Sequence, residues 1–192
     1  MQVAAAMVAA GNANLARSEM KACAHIVGPQ DGPGAALGDL ARSLGFAAVQ
    51  PYAGLASAEA LSQQTPLMFF LFAAVEDVAT LKATADSIRF ANARRIRFSP
   101  LVYFSESPSV EAIRACVEMG FDDVITLPFT GARVRDRLGR LVDRRLIFFE
   151  TAHYFGPDRR SAADSGVSRR IEIIRSVDAG VTVIRDEVRR AA

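Results

Sequence analysis

The chain has 192 residues, 51% of them apolar, and a formal net charge of +2; this suits one domain with a sizeable core plus extensions and is too polar throughout for a membrane span. The charge is uneven: residues 1–130 carry 9 basic and 12 acidic side chains, whereas residues 131–192 carry 14 arginines against 9 acids, so the C-terminal third is a different, basic surface. Cys23 and Cys116 stand in apolar contexts with no histidine at ligand spacing, which favours reduced, buried thiols in a cytoplasmic protein and argues against a disulfide or a metal centre.

The VAAAMVAA run near the start has no basic residue before it and leads into GNANLARSE. Residues 1–20 therefore read as a helical extension and not as a signal peptide. CAHIVGP is a short apolar run stopped by Gly-Pro, GAALGDLARSLGF has helical spacing at Leu37, Leu40 and Leu44, and AAVQPY is a second strand. LASAEALSQQ follows as a short helix. PLMFFLFAA is then too short for a buried helix and continuous enough for a central parallel strand. DVATLKATADSIRFANARRI reads as a helix, LVYFSE as the fourth strand, SVEAIRACVEMGF as a helix, DDVITLPF as the fifth strand and GARVRDRLGRLVDRRLIFF as a fifth long helix. Strict alternation predicts an α/β fold: a five-stranded, parallel, doubly wound sheet of flavodoxin-like (CheY-like) type with a C-terminal extension. Ligands of such sheets sit at the carboxyl ends of the strands. Here these are Gly28 to Asp31, Phe72 to Ala74, Ser105 with Glu106, and Leu127 with Pro128.

PLVYFSESPSVEAIRACVEMGFDDVITLPFTGARVRDRL, with its Gly-x-Asp-Asp step before the last strand and its Pro-Phe pair after it, resembles the second half of a response-regulator receiver domain. The resemblance extends over about residues 21–145, its first half mainly through the pattern of elements. Receivers as a family phosphorylate an aspartate at the end of the third strand, hold Mg²⁺ with an acidic pair after the first strand, and sense the phosphate with a Ser/Thr and a Lys ending the fourth and fifth. The resemblance puts the acceptor position at Phe72, the acidic pair at Gly28 and Pro29, the hydroxyl at Ser105 and the lysine at Leu127. The aromatic that switches rotamer in the family falls on Val124.

An aryl ring cannot form an acyl phosphate, and a site without paired carboxylates has little to offer Mg²⁺. Asp31 and Asp77 lie near the strand ends but off the family's carboxylate positions. Phe69, Phe70, Phe72 and Leu127 are expected instead to carry the core into the former pocket, so that a lysine at 127 would be destabilising. The implied object is a degenerate pseudo-receiver without cofactor or metal.

Beyond residue 145 the fifth helix is expected to run on. Leu146, Ile147, Phe148, Phe149 and Tyr154 then form an apolar surface, covered by the folded-back tail or by a second copy in a homodimer. Gly156-Pro157-Asp158 would end the helix, DRRSAADSGVSRR reads as a linker, and IEIIRS and VTVIRD read as a hairpin. The organisation is thus a 1–20 extension, a 21–145 receiver-like domain, and a 146–192 segment of helix end, linker and hairpin tail. His25 and His153 read as packing and solvation. Arg159, Arg160, Arg169 and Arg170 are the candidates for gripping a phosphate-bearing ligand, a cyclic dinucleotide or a nucleic acid. That alternative ranks below a non-catalytic, phosphorylation-independent module for an unidentified signalling protein in the cytoplasm. The chain lacks a Walker or Rossmann phosphate loop, a nucleophile elbow and a metal-ligand cluster, which argues against an enzyme.

Overall fold

The computed structural model describes residues 20–106, 109–158 and 168–189. The expected N-terminal helix and most of the linker, with Arg159 and Arg160, lie outside them. Five strands, β1 (Met20–Val27), β2 (Phe46–Pro51), β3 (Met68–Phe72), β4 (Leu101–Ser105) and β5 (Asp123–Thr126), form a parallel sheet in the order β2-β1-β3-β4-β5. This is the flavodoxin-like strand order. Every residue of β3 and β4 is buried, as a strand covered on both faces requires.

Helices α1 (Gly32–Ser43) and α6 (Gly131–Gly139) cover one face, where Leu37, Leu40, Leu44, Val134 and Leu138 meet Phe69 and Leu71. The other face packs α2 (Leu55–Ser62), α3 (Lys82–Arg89) and α5 (Val110–Glu118) through Ala58, Ala85, Ile88 and Cys116 against Phe70 and Phe72. The stretch expected as one helix between β3 and β4 is a short 3₁₀ turn at Val78–Leu81, then α3, then the single turn α4 (Arg94–Arg97). Asp77 accepts a hydrogen bond from the Ala79 backbone N–H and so caps the turn.

The main departure from the sequence reading lies after α6. The helix ends at Gly139, and Asp143, with φ of 52°, turns the chain into β6 (Arg145–Glu150). RLIFFE is rich in aromatic and branched residues that suit a pleated surface, and pairing on both sides settles its state. β6 is antiparallel to β7 (Phe155–Pro157) and to β8 (Ser168–Ser176), which pairs with β9 (Gly180–Arg189) in a sheet ordered β7-β6-β8-β9. The expected hairpin is therefore present as β8 and β9, but it docks on its own chain.

This second sheet closes the amino ends of the parallel strands. Its Arg175 reaches Asp122, just before β5, and donates from Nε to the Phe98 carbonyl, just before β4, at 2.6 Å. Lys21 at the start of β1 pairs with Asp178 in the β8–β9 turn. Phe98, Phe148, Phe155, Ile171 and Ile173 make a third core between the two sheets. β7 approaches the turn before β5 so closely that a Cβ on Gly120, itself at φ of 79°, would fall 2.4 Å from the Phe155 carbonyl oxygen.

At this junction sits a buried ionic group. Arg89 donates to the carbonyls of Gly120, Arg97 and Ser99 and to Asp122 Oδ2 at 2.7 Å, and the same oxygen accepts the Leu101 N–H at 2.9 Å. Arg175 Nη1 lies 2.8 Å from Asp122 Oδ1 as an ion pair. Both guanidiniums stand over the Phe148 ring, 5.5 and 5.1 Å from its centroid. Burial by itself would raise the Asp122 carboxyl, but Arg175 and Arg89 hold it below the usual carboxylate range. Burial likewise lowers Arg175 to about 10, partly opposed by Asp122.

Asp122→Asn is expected to cost about 3–5 kcal/mol in urea unfolding, because two buried guanidiniums lose their carboxylate. Asp39→Asn, which breaks the exposed pair with Arg42, should cost no more than about 1 kcal/mol. Equal unfolding midpoints for the two variants would remove the buried group from the account of stability.

Candidate functional site at the carboxyl strand ends

The carboxyl ends of β1, β3, β4 and β5 meet at the face opposite the second sheet. The Ala73 N–H donates to the Val27 carbonyl at 2.9 Å and the Leu127 N–H to the Ser105 carbonyl at 3.0 Å, which ties the strand ends in pairs. Gly28 leaves β1 at φ of 140°, where a side chain is strained, and a Cβ there would lie 3.0 Å from Ala73 Cβ. Gly28 and Pro29 are exposed backbone, with no acid between them to hold a cation.

Phe72 is fully buried and turns away from the strand-end pocket. Its ring meets Phe121 edge-on at 4.7 Å, within the core beneath α3 and α5. Phe69 and Phe70 are equally buried, as the sequence predicts. Leu127 departs from that expectation: it is half-exposed and lines a shallow, open pocket together with Pro33, Leu37, Ala73, Ala74, Phe104, Ser105, Glu106 and Phe129. Its peptide bond to Pro128 is cis.

Ser105 lines this pocket but is 7% exposed, and its hydroxyl bonds with that of Tyr103. The Tyr103 hydroxyl also accepts the Val75 N–H at 3.5 Å, and burial holds the phenol above its ordinary range. Of the receiver positions, then, Ser105 and Leu127 share one pocket. Gly28 touches it through Ala73, Pro29 lines a separate cleft with Gln50 and Arg42, and Phe72 belongs to the core. Val124 is half-buried against the same core as Phe72. Asp31 and Glu76 are exposed and Asp77 is the cap described above.

The expected apolar surface is largely consumed within the chain. Phe148 and Phe149 are 0% and 1% exposed and Leu146, Ile147 and Tyr154 are half-buried, because all but Tyr154 belong to a sheet strand and not to a helix. The Tyr154 hydroxyl donates to the Pro157 carbonyl at 2.8 Å. These residues therefore no longer call for a homodimer. Arg169 is not open to a phosphate either: its fork binds Asp186 at 2.6 and 2.5 Å, and Nη1 lies 3.3 Å from Glu150. Arg170 is a half-buried β8 residue paired with Phe149 and Glu187 in register.

Glu106 was among the strand-end positions read from the sequence, whereas Phe129, two residues beyond Leu127, was not. Asp122 and Arg175 had a usable signal as well. Arg175 continues the two-residue period of Ile171 and Ile173 and so points inward, and Asp122 lies in the Gly-x-Asp-Asp step. Cys23 and Cys116 are buried free thiols, the latter pushed up to about 12 by burial. Among the described residues, no three His, Cys, Asp or Glu side chains come together as metal ligands, and no helix is long and apolar enough to cross a membrane.

No family model matches the sequence, and no curated protein matches it. A similar solved structure is the crystal structure of a putative CpaE2 pilus assembly protein from Sinorhizobium meliloti 1021, at 16% identity and a TM-score of 0.39, covering 62% of this chain and 98% of that one.

Leu127→Lys is now expected to change stability by less than about 1 kcal/mol, since the side chain is half-exposed and Glu106 lines the same pocket. A larger loss in urea would mean that the pocket is closed in solution. His25 gives a second test. It is 1% exposed, stacked on Phe70 at 5.2 Å with neither ring nitrogen hydrogen-bonded, and burial lowers it from 6.5 to about 4. Between those pH values the unfolded chain binds a proton that the native chain refuses, so stability falls as pH drops. The parent should lose about 3 kcal/mol across this window relative to His25→Leu. Parallel pH profiles for the two would show that His25 is not buried neutral. His153, by contrast, is exposed.

Proposed function

We propose that the chain is a receiver-like module that acts without phosphorylation, as a non-catalytic protein-interaction element in bacterial signal transduction. What carries the reading is Phe72: at the place where the resemblance puts the phosphoacceptor stands a phenylalanine with 0% exposure, locked edge-on against Phe121. No carboxylate follows β1 at Gly28 and Pro29, and the backbone at Gly28 disfavours any side chain there. On this reading the acceptor position is taken by core packing at Phe72, and the lysine position by Leu127, a half-exposed wall of the strand-end pocket. A frame of this kind retains a fixed strand-end surface, and binding is the function that such a surface supports without chemistry.

Incubation with acetyl phosphate and Mg²⁺ is expected to leave the intact mass unchanged and to yield no acid-labile phosphoprotein. A stoichiometric phosphoryl adduct on Asp31, Asp77 or any other strand-end residue would overturn this function.

A further inference from the structure

The strand-end pocket combines three properties that define an occupant. First, its walls are almost wholly apolar atoms, drawn from Leu37, Ala73, Phe104, Leu127 and Phe129. Second, it is small and open: the space in it that a water-sized sphere can reach is about 20 Å³, room for the tip of one side chain and too little for an organic cofactor. Third, its charge has one sign. Glu106 lines the pocket itself, and the loops that follow the parallel strands carry Asp31, Glu76, Asp77 and Glu106 without a single Lys or Arg. Of the bases on the adjoining helices, Lys82 is paired with Asp86 at 2.7 Å, and Arg133 lines a different groove, with Asp123, Asp136 and Arg137.

We infer that this pocket is a docking socket for a segment of a partner protein that presents one aliphatic or aromatic side chain flanked by Lys or Arg. The inference rests on the reading of the chain as an interaction module and gives its partner a chemistry. The apolar anchor covers Leu127 and Phe129, removing their half-exposed surface from water. The flanking cations meet Glu106 and the exposed loop carboxylates, which set the orientation of the segment and speed its encounter more than they add affinity. An acidic or phosphorylated segment is rejected by the same carboxylates, so the site selects against the ligands that an arginine-rich surface would favour.

A random linear peptide library displayed on phage, selected on the full-length chain, tests the socket directly. Enriched sequences should share an aliphatic or aromatic residue with Lys or Arg within two positions. Their affinity should fall with added salt. Binding should weaken by at least about ten-fold on Leu127→Asp, as expected for loss of an anchor contact, and also on Glu106→Lys. Both substitutions fall on exposed or half-exposed side chains, and Asp178→Lys in the opposite sheet should leave affinity unchanged. Peptides that bind the parent and both pocket variants equally would end the socket proposal while leaving the interaction module standing. Enriched acidic sequences, or no enrichment above that obtained with Leu127→Asp, would also end it. The phosphodonor experiment is independent of all these outcomes and bears on the module reading alone.

Discussion

One carboxylate held between two guanidiniums organises this molecule. Asp122 comes from the turn before β5, Arg89 from the end of α3 and Arg175 from β8, and all three are withdrawn from water. Buried charges are tolerated only when they are closely paired, so this group demands a fixed arrangement of the three segments that supply it. The backbone carbonyls of Gly120, Arg97, Ser99 and Phe98 absorb the excess positive charge, and the Phe148 ring lies beneath both guanidiniums. Shifting any one segment would strand a charge in the core.

The consequence is that residues beyond 145 are not an appended tail. They form a floor under the parallel sheet, sharing Phe98 with it and sealing the amino ends of β1, β3, β4 and β5. Salt links continue outward from this floor: Glu150 receives both Arg97 and Arg169, and Arg169 also forks onto Asp186. Of the arginines that could suggest phosphate binding, Arg169 is therefore structural. With the amino ends closed and Phe72 filling the sheet interior, the carboxyl ends are left, among the described residues, as a face with an apolar pocket and the exposed acids Asp31, Glu76 and Glu106.

The architecture of this chain and the chemistry of its strand ends are set by different residues, for a plain physical reason. Strand order, helix placement and burial depend on apolar periodicity, which β3 and β4 retain in full. Chemistry at the carboxyl ends depends on a few side chains there, among them Gly28, Pro29, Phe72 and Leu127. Nothing in the packing of the sheet requires those four to be polar. Phe72 in fact adds to the core through its contact with Phe121.

The sequence by itself determined the five-stranded parallel sheet and the absence of a carboxylate at position 72, because continuous apolar runs such as MFFLF have few alternatives and because residue identity is a matter of composition. It also carried the β8–β9 hairpin, whose alternation in IEIIRS is local. It could not decide RLIFF, which a helical stripe and a buried strand explain equally well until a pairing partner is known. Only the tertiary structure supplied that partner, by placing Ile171 opposite Phe148 and Ile173 opposite Leu146. It likewise decided that Leu127 faces a half-open pocket with Glu106 and that Arg169 is already occupied, since both depend on which distant segments meet. Asp122 is the clearest case: its neighbours in the chain announce a turn, but the arginines that give it meaning lie 33 and 53 residues away, and their convergence is a property of the fold alone.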